Sequence, residues 1–270
     1  MNHCRHAVVY LAVYSLISSF PVSGQATVAA GVKGTLLSDK GGGGVPGRVR
    51  VARKTGGETP AATISTAGVG SFPSITPPAL ANIPVVSSGL AARATTAANG
   101  QFDITANLTG DFLVCVQPDD FDHLDPCKWG IPPQVQLTSS AKQDLGNIVM
   151  RRGVSLKVII EDPTGLMGDA AEVGQGASVQ VGHYYANGIF EPMRLESTAP
   201  LGKGSAFQFA VAIPPDVDLR LGVNSTRVTL TDESGGAVKL NTAAYAIRAT
   251  STESQRIVRF RVSGLLPGGR

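Results

Sequence analysis

Two histidines, His123 and His183, are the imidazole side chains that follow the N-terminal segment of this 270-residue chain. Nucleophilic catalysis needs a base of this kind beside a serine, threonine or cysteine. Neither histidine lies near a Gly-x-Ser-x-Gly turn, so no motif points to a Ser-His-Asp triad. We therefore expect a protein without catalytic activity, and a hydrolase is the least favoured interpretation.

An acidic loop is the second place where chemistry could occur, because Asp119, Asp120, Asp122 and Asp125 cluster there with His123. Calcium prefers several oxygen ligands held in a flexible loop. The spacing differs from that of an EF-hand, and the loop has no glycine for the sharp turn. We favour a solvated loop whose aspartates cap turns, and we predict no metal and no cofactor.

The same loop contains Phe121 and the only tryptophan of the chain, Trp129. Sugars are bound by an aromatic face against C–H groups and by carboxylates against hydroxyls. This pairing predicts that the loop binds a small ligand through Phe121, Asp122, His123 and Trp129. The alternative is that Trp129 covers Leu113 and a nearby disulfide as a small satellite core.

The disulfide is predicted from the cysteine count. Cys4 belongs to the N-terminal segment, which leaves Cys115 and Cys127. Two cysteines in an oxidising compartment, without a Cys-x-x-Cys pair or a histidine cluster, favour a disulfide over a metal site.

The N-terminus has the layout of a secretory signal peptide. Arg5 precedes an apolar run at residues 7–20, and Val22-Ser23-Gly24 offers small residues before cleavage at 24/25 or 26/27. The run is shorter than the roughly 20 apolar residues that span a bilayer, and Pro21 ends it, which argues against an anchor helix. We therefore assign residues 1–26 to a signal peptide and expect a secreted, periplasmic or extracellular protein without a membrane span after cleavage.

Charge excludes one class of partner. The formal net charge is +3, and no basic run is interleaved with aromatic residues, so we expect no nucleic-acid partner.

Alternating apolar and polar residues predict short β-strands along the whole chain, and no segment has the helical period. Val32, Gly34 and Leu36 alternate with polar neighbours in the first half, and Phe207 and Phe209 do so in the second. The fold class is therefore all-β, with two tandem antiparallel β-sandwich domains at residues 29–152 and 153–265. The hinge between them, residues 151–153, is so short that the two halves are expected to touch.

Residues 55–90 break this pattern. They are rich in glycine, serine and alanine and include five prolines, which are incompatible with a continuous strand ladder: Pro60, Pro73, Pro77, Pro78 and Pro84. We interpret them as a mobile insertion between two strands, with a binding loop as the alternative.

One hairpin in the second half has two possible registers. A two-residue Asn187-Gly188 turn would mix apolar and polar faces, whereas a three-residue loop at 186–188 places Val181 opposite Met193 and Val179 opposite Leu195. A one-residue slip moves every side chain to the other face, so we predict the three-residue loop.

The first half resembles the carboxypeptidase regulatory-like domain, a transthyretin-like β-sandwich. The resemblance covers roughly residues 29–152 and rests on four short motifs: Gly34-Thr35-Leu36, Val45-Pro46-Gly47-Arg48-Val49, the segment TTAANGQF at 95–102, and Gly110-Asp111-Phe112-Leu113-Val114. Phe112 stands where that family usually has tyrosine, and Ala97 stands near its usual aspartate. The segment LDPCKWG at 124–130 looks like one found in secreted proteins of soil bacteria that carry this domain.

The resemblance implies a non-catalytic module and places Phe112, Val114 and Val116 in the core. Leu113 and Cys115 then face outward, and a bridge to Cys127 folds the following loop over that outer face. We expect a secreted binding or interaction module whose ligand is a carbohydrate or cell-envelope polymer. The alternative is a structural or adhesive domain with a protein partner. The second half matches no family that its residues identify.

Overall fold

The computed structural model describes residues 30–53, 90–106, 109–129, 132–138, 141–167, 179–184, 190–198 and 204–267. The predicted signal peptide and residues 55–89 of the predicted insertion lie outside these ranges. The described residues form the strands β1 (Gly31–Ser38), β2 (Gly47–Arg53), β3 (Leu90–Thr95), β4 (Gln101–Thr105), β5 (Gly110–Pro118), β6 (Gln134–Leu137), β7 (Lys142–Met150), β8 (Val154–Asp162), β9 (Val179–Tyr184), β10 (Phe190–Pro192), β11 (Arg194–Thr198), β12 (Ser205–Ile213), β13 (Asp218–Ser225), β14 (Val228–Asp232), β15 (Tyr245–Arg248) and β16 (Gln255–Leu265), and the one-turn helix α1 (Pro126–Trp129).

The first seven strands form two sheets, in the orders β4-β1-β7 and β3-β2-β5-β6. Alternation places one face of each sheet inward. Val32 and Leu36 from one sheet meet Val51, Phe112 and Val114 from the other in a single buried cluster. The two sheets therefore form a sandwich, and the predicted inward positions on β5 are confirmed.

The remaining strands form two more sheets, in the orders β11-β12-β8-β16-β14 and β10-β9-β13-β15. Leu156 and Phe207 of the first sheet and Val181 and Leu221 of the second belong to one buried cluster. The all-β fold class is thus confirmed. Among the described strands, two pairings are parallel, β1 with β7 and β8 with β16, and the other pairings are antiparallel.

The register of the β9–β10 hairpin matches the three-residue loop. Phe190 lies opposite Tyr184 and the Met193 N–H donates to the Val181 carbonyl at 2.8 Å, although the loop residues themselves lie outside the described ranges. The predicted pairing of Val179 with Leu195 is wrong. The ladder extends past Pro192 to the Met193 N–H, and the chain then crosses to the other sheet, where Leu195 pairs with Phe209.

The two halves touch, as the short hinge predicts. The Gly153 N–H donates to the Asp122 carbonyl at 2.8 Å, and the Leu124 N–H donates to the Arg151 carbonyl at 2.9 Å. A Cβ at Gly153 would lie 2.6 Å from both the Ile213 carbonyl oxygen and Leu124 Cδ2, so this position has no room for a side chain.

Candidate functional site

The acidic and aromatic segment that follows β5, residues 119–129, lies between the two halves, and we name it the junction loop. Its end is tied to β5 by the disulfide between Cys115 and Cys127, whose Cα atoms are 5.3 Å apart. Cys115, Cys127 and Leu113 form a small buried cluster of their own, separate from the sandwich core. The predicted disulfide and the folding of the loop over the outer face of β5 are both present.

Asp125 starts the helix α1 at the end of the junction loop. Its Oδ1 accepts the Cys127 N–H at 2.9 Å. Pro126 follows at the first helical position, where an N–H would have no acceptor within the helix, so the absence of an N–H costs no hydrogen bond. Burial raises the pKa of Asp125, an effect that the charges of Lys128 and Arg50 and the Cys127 N–H only partly oppose. The sequence did not predict this helix, because a single turn has no periodic pattern.

Trp129, the last residue of α1, is buried in the second half. Its ring stacks on His183 with a centroid separation of 5.1 Å and an interplanar angle of 26°. Trp129 and Leu124 belong to the same hydrophobic cluster as Val181 and Leu221 of the second half. Burial lowers the pKa of His183 to about 3, with a smaller contribution from Lys128, so the imidazole under the tryptophan is neutral.

The other predicted loop residues are divided between the interior and the surface. His123 is buried, Asp122 is exposed, and Phe121 is half-buried. The Arg194 guanidinium lies 4.5 Å from the Phe121 ring centroid, and its Nη2 donates to the Asp120 carbonyl at 2.9 Å. The loop therefore brings Phe121 and Asp122 to solvent and leaves His123 and Trp129 inside the protein.

His123 is the centre of a chain of hydrogen bonds from Asp120 through His123 to Ser38, which the sequence did not reveal. We name this chain the Ser38 relay. His123 Nδ1 lies 2.8 Å from Asp120 Oδ2, and its Nε2 lies 2.9 Å from Ser38 Oγ. A carboxylate only accepts hydrogen bonds, so Nδ1 carries the hydrogen that is donated to Asp120. Ser38 stands 85 positions before His123 and ends β1 without any local motif, so only the folded chain shows the arrangement.

This relay has the connectivity of a Ser-His-Asp triad, but its surroundings differ from those of an acyl-transfer site. Such a site needs N–H donors aimed at the developing oxyanion. The Ser38 N–H donates to the Gly43 carbonyl, the Asp39 N–H donates to the Met150 carbonyl, and the Lys40 N–H donates to Ser38 Oγ itself. The backbone N–H groups of residues 38–40 are therefore already used in holding the turn after β1.

Asp120 and Asp125 behave as turn-capping residues. Asp120 Oδ1 accepts the N–H groups of Asp122 and His123, each at 3.0 Å. Desolvation raises the pKa of Asp120, but these bonds and the His123 side chain outweigh it and hold the pKa below its ordinary value. Within the described ranges, no three His, Cys, Asp or Glu side chains are grouped so as to hold a metal ion.

A cavity of about 60 Å³ lies beside the junction loop. Its polar lining consists mainly of Asp120, His123, Asp125, Lys128, Glu191 and Arg194, and Ser38 is not among the described residues that line it. Lys128 and Glu191 form an ion pair across the two halves. A water needs about 10–15 Å³ of such space and small-molecule sites measure about 300–1,000 Å³, so this cavity has room for waters only.

Comparisons with known proteins identify no family. No family model matches the chain, and no curated protein matches it. The resemblance to carboxypeptidase regulatory-like domains therefore stays a prediction. In the described part of the chain, no helix is long and apolar enough to cross a membrane.

Several solved structures align weakly with the chain. A Streptococcal ancillary pilin is 13% identical with a TM-score of 0.35, over 87% of this chain and 63% of the pilin. A putative adhesin from Bacteroides ovatus is 7% identical with a TM-score of 0.30, over 90% and 94% of the two chains. The Bacillus anthracis TIE protein is 11% identical with a TM-score of 0.29, over 87% and 34%. This chain thus spans less than two thirds of the pilin and of the TIE protein, and alignments at these scores add nothing to the fold or site described above.

Proposed function

We propose that the chain is a non-catalytic structural or adhesive module that acts outside the cytoplasm, built from two β-sandwich domains at residues 29–152 and 153–265. The observation that carries this proposal is the position of Trp129, which leaves the first half and packs in the hydrophobic core of the second. An interface made of core residues keeps the two sandwiches in one relative orientation. We call this interface, formed by Leu124 and Trp129 in the second core, the joint. A fixed orientation suits a stalk or surface scaffold.

Two features support the extracytoplasmic location. Cys115 and Cys127 are disulfide-bonded, and such bonds persist in oxidising compartments. The predicted signal peptide at residues 1–26 would deliver the chain to such a compartment.

Carbohydrate binding through Phe121, Asp122, His123 and Trp129 stays a prediction, and the geometry supports it less well. Trp129 is buried against His183, and Arg194 lies over one face of the Phe121 ring. A sugar platform needs an aromatic ring with an open face.

The non-catalytic part of the proposal can be tested at the Ser38 relay. We expect a biotin-tagged fluorophosphonate, which modifies activated serines, to leave the native protein unlabelled. The Ser38 hydroxyl is nearly buried, and the neighbouring N–H donors are engaged. The measurement is intact mass after incubation, with chymotrypsin as the positive control.

Labelling that disappears in Ser38→Ala but persists in the control Ser263→Ala, which changes an exposed serine on β16, would contradict the proposal and make the protein an acyl-transfer enzyme.

A further inference from the structure

One outer sheet face carries a concentration of positive charge. In the sheet β3-β2-β5-β6, Arg50 lies opposite Arg93 on one side and opposite Cys115 on the other. Arg48 lies two residues earlier on the same strand, opposite Thr95. Directly opposed residues and residues two apart point to the same face of a sheet. Arg48, Arg50 and Arg93 therefore share one face, and we name this set the arginine ladder.

Most of the ladder has no ion-pair partner among the described residues. Arg50 Nη2 lies 3.7 Å from Asp125 Oδ2, and this is the only ion pair of the ladder within the described ranges. Arg48 and Arg93 are exposed. Like charges directly opposite on a sheet destabilise it, so this arrangement lowers stability unless an anion lies between the side chains.

Arg194 from the second half interacts electrostatically both with Arg48 and with the acidic junction loop. Desolvation lowers the pKa of the Arg194 guanidinium, and the nearby charge of Arg48 lowers it further, whereas Asp119 and Asp120 oppose the shift. The charge of Arg194 is thus partly compensated by carboxylates of the junction loop, and Arg194 is not part of the ladder.

We propose that the arginine ladder binds an acidic polysaccharide whose repeating units carry carboxylate or phosphate groups. The Cβ atoms of directly opposed arginines are about 5 Å apart across the strands, and the Cα atoms of arginines two residues apart are about 7 Å apart along β2. Guanidinium groups pair with carboxylate and phosphate oxygens through two parallel hydrogen bonds. An extended polymer with regularly spaced anions can therefore contact several arginines at once.

A polysaccharide fits this surface better than a nucleic acid. Single-stranded nucleic acids are held by aromatic side chains on which bases stack. The residues directly opposite Arg48 and Arg50 on this face, other than Arg93, are Thr95, Gln117 and Cys115, and Ala52 follows along β2; none of them is aromatic. The inference deepens the proposed function, on which it rests, by naming the partner of an adhesive module.

The test measures binding of the full mature protein to polygalacturonate and to poly(glycerol phosphate), at salt concentrations of about 10 mM and about 150 mM. We expect binding to at least one polymer that weakens at the higher salt, and no binding to neutral dextran. Arg48→Gln combined with Arg93→Gln should weaken that binding at least tenfold. Arg50 is left in place because it pairs with buried Asp125.

The matched control combines Arg259→Gln with Arg261→Gln, which removes the same charge from the exposed face of β16. It should retain binding within about twofold, since the general field of a protein is weaker than direct contact. Equal loss in both double variants, no loss in the ladder variant, or binding to neither polymer would each overturn the proposal. Tighter binding to duplex DNA of the same phosphate concentration would overturn the assignment to a polysaccharide. None of these results bears on the Ser38 labelling, so the two proposals can fail separately.

Discussion

Replacement of Trp129 by alanine is expected to lower the free energy of unfolding by about 3–5 kcal/mol, the usual range for a buried aromatic residue. The indole lies in the core of the second half and stacks on His183. Its removal opens a cavity between the halves and exposes the neutral imidazole beneath it. The effect can be measured by urea denaturation of oxidised protein followed by circular dichroism.

Phe121→Ala is the matched control for this variant, because it removes an aromatic ring from the same loop. Phe121 is only half-buried and its described aromatic contact is with Arg194, so we expect a loss of no more than about 1 kcal/mol. If the two variants were equally stable, Trp129 would not be part of the core and the joint between the halves would be loose.

Asp162→Asn is expected to destabilise the protein by about 2–4 kcal/mol. The buried carboxylate organises the turn after β8: Oδ1 accepts the N–H groups of Thr164, Gly165 and Leu166, and Oδ2 accepts the Met167 N–H at 2.8 Å. Asparagine would turn one oxygen into an NH₂ donor. A donor would then face a donor at Met167, which is fully buried in the core.

Asp232→Asn is the control, because Asp232 caps a similar turn nearer the surface. Its Oδ1 accepts all three bonds, from the Ser234 N–H, the Ser234 hydroxyl and the Gly236 N–H, so an asparagine oxygen can replace it. We expect a much smaller change. A loss at Asp232 equal to that at Asp162 would show that charge, and not the geometry of the buried turn, is responsible.

The Asp162 effect should also depend on pH. Desolvation raises the pKa of this carboxyl, but the hydrogen bonds from Met167, Thr164, Leu166 and Gly165 outweigh it and hold the pKa below its ordinary value of 3.8. Stability from a carboxyl with a lowered pKa is present above the ordinary value and is lost as pH falls through the folded value. The difference in unfolding free energy between wild type and Asp162→Asn should therefore shrink below about pH 4.

Local patterns were enough to predict much of the fold. The resemblance to the carboxypeptidase regulatory-like domain predicted the inward residues of β5, and the match of apolar side chains across β9 and β10 predicted their register. Two remaining cysteines sufficed for the disulfide. These features depend on neighbours along the chain or across one hairpin.

The candidate site could not be predicted, because its contacts are long-range. Nothing local to Ser38 indicates that it meets His123, and nothing local to Trp129 indicates that it packs on His183. From the sequence we predicted that Trp129 either forms an open aromatic platform or covers the disulfide. The buried cluster around the disulfide contains Leu113 but not Trp129, which packs in the second core instead. The parallel pairing of β8 with β16 joins strands far apart in the chain. The alternation of apolar and polar residues within each strand does not indicate which strand it pairs with.

Trp129 is the only tryptophan of the chain, so its fluorescence reports directly on the joint between the two halves. The most direct test of that joint is urea unfolding of the oxidised wild-type protein, followed in parallel by tryptophan fluorescence and by far-ultraviolet circular dichroism. If the junction loop is part of the second core, the two signals should change together in one transition with the same midpoint. A fluorescence transition that is complete at lower urea, while the strand signal is still native, would contradict the account.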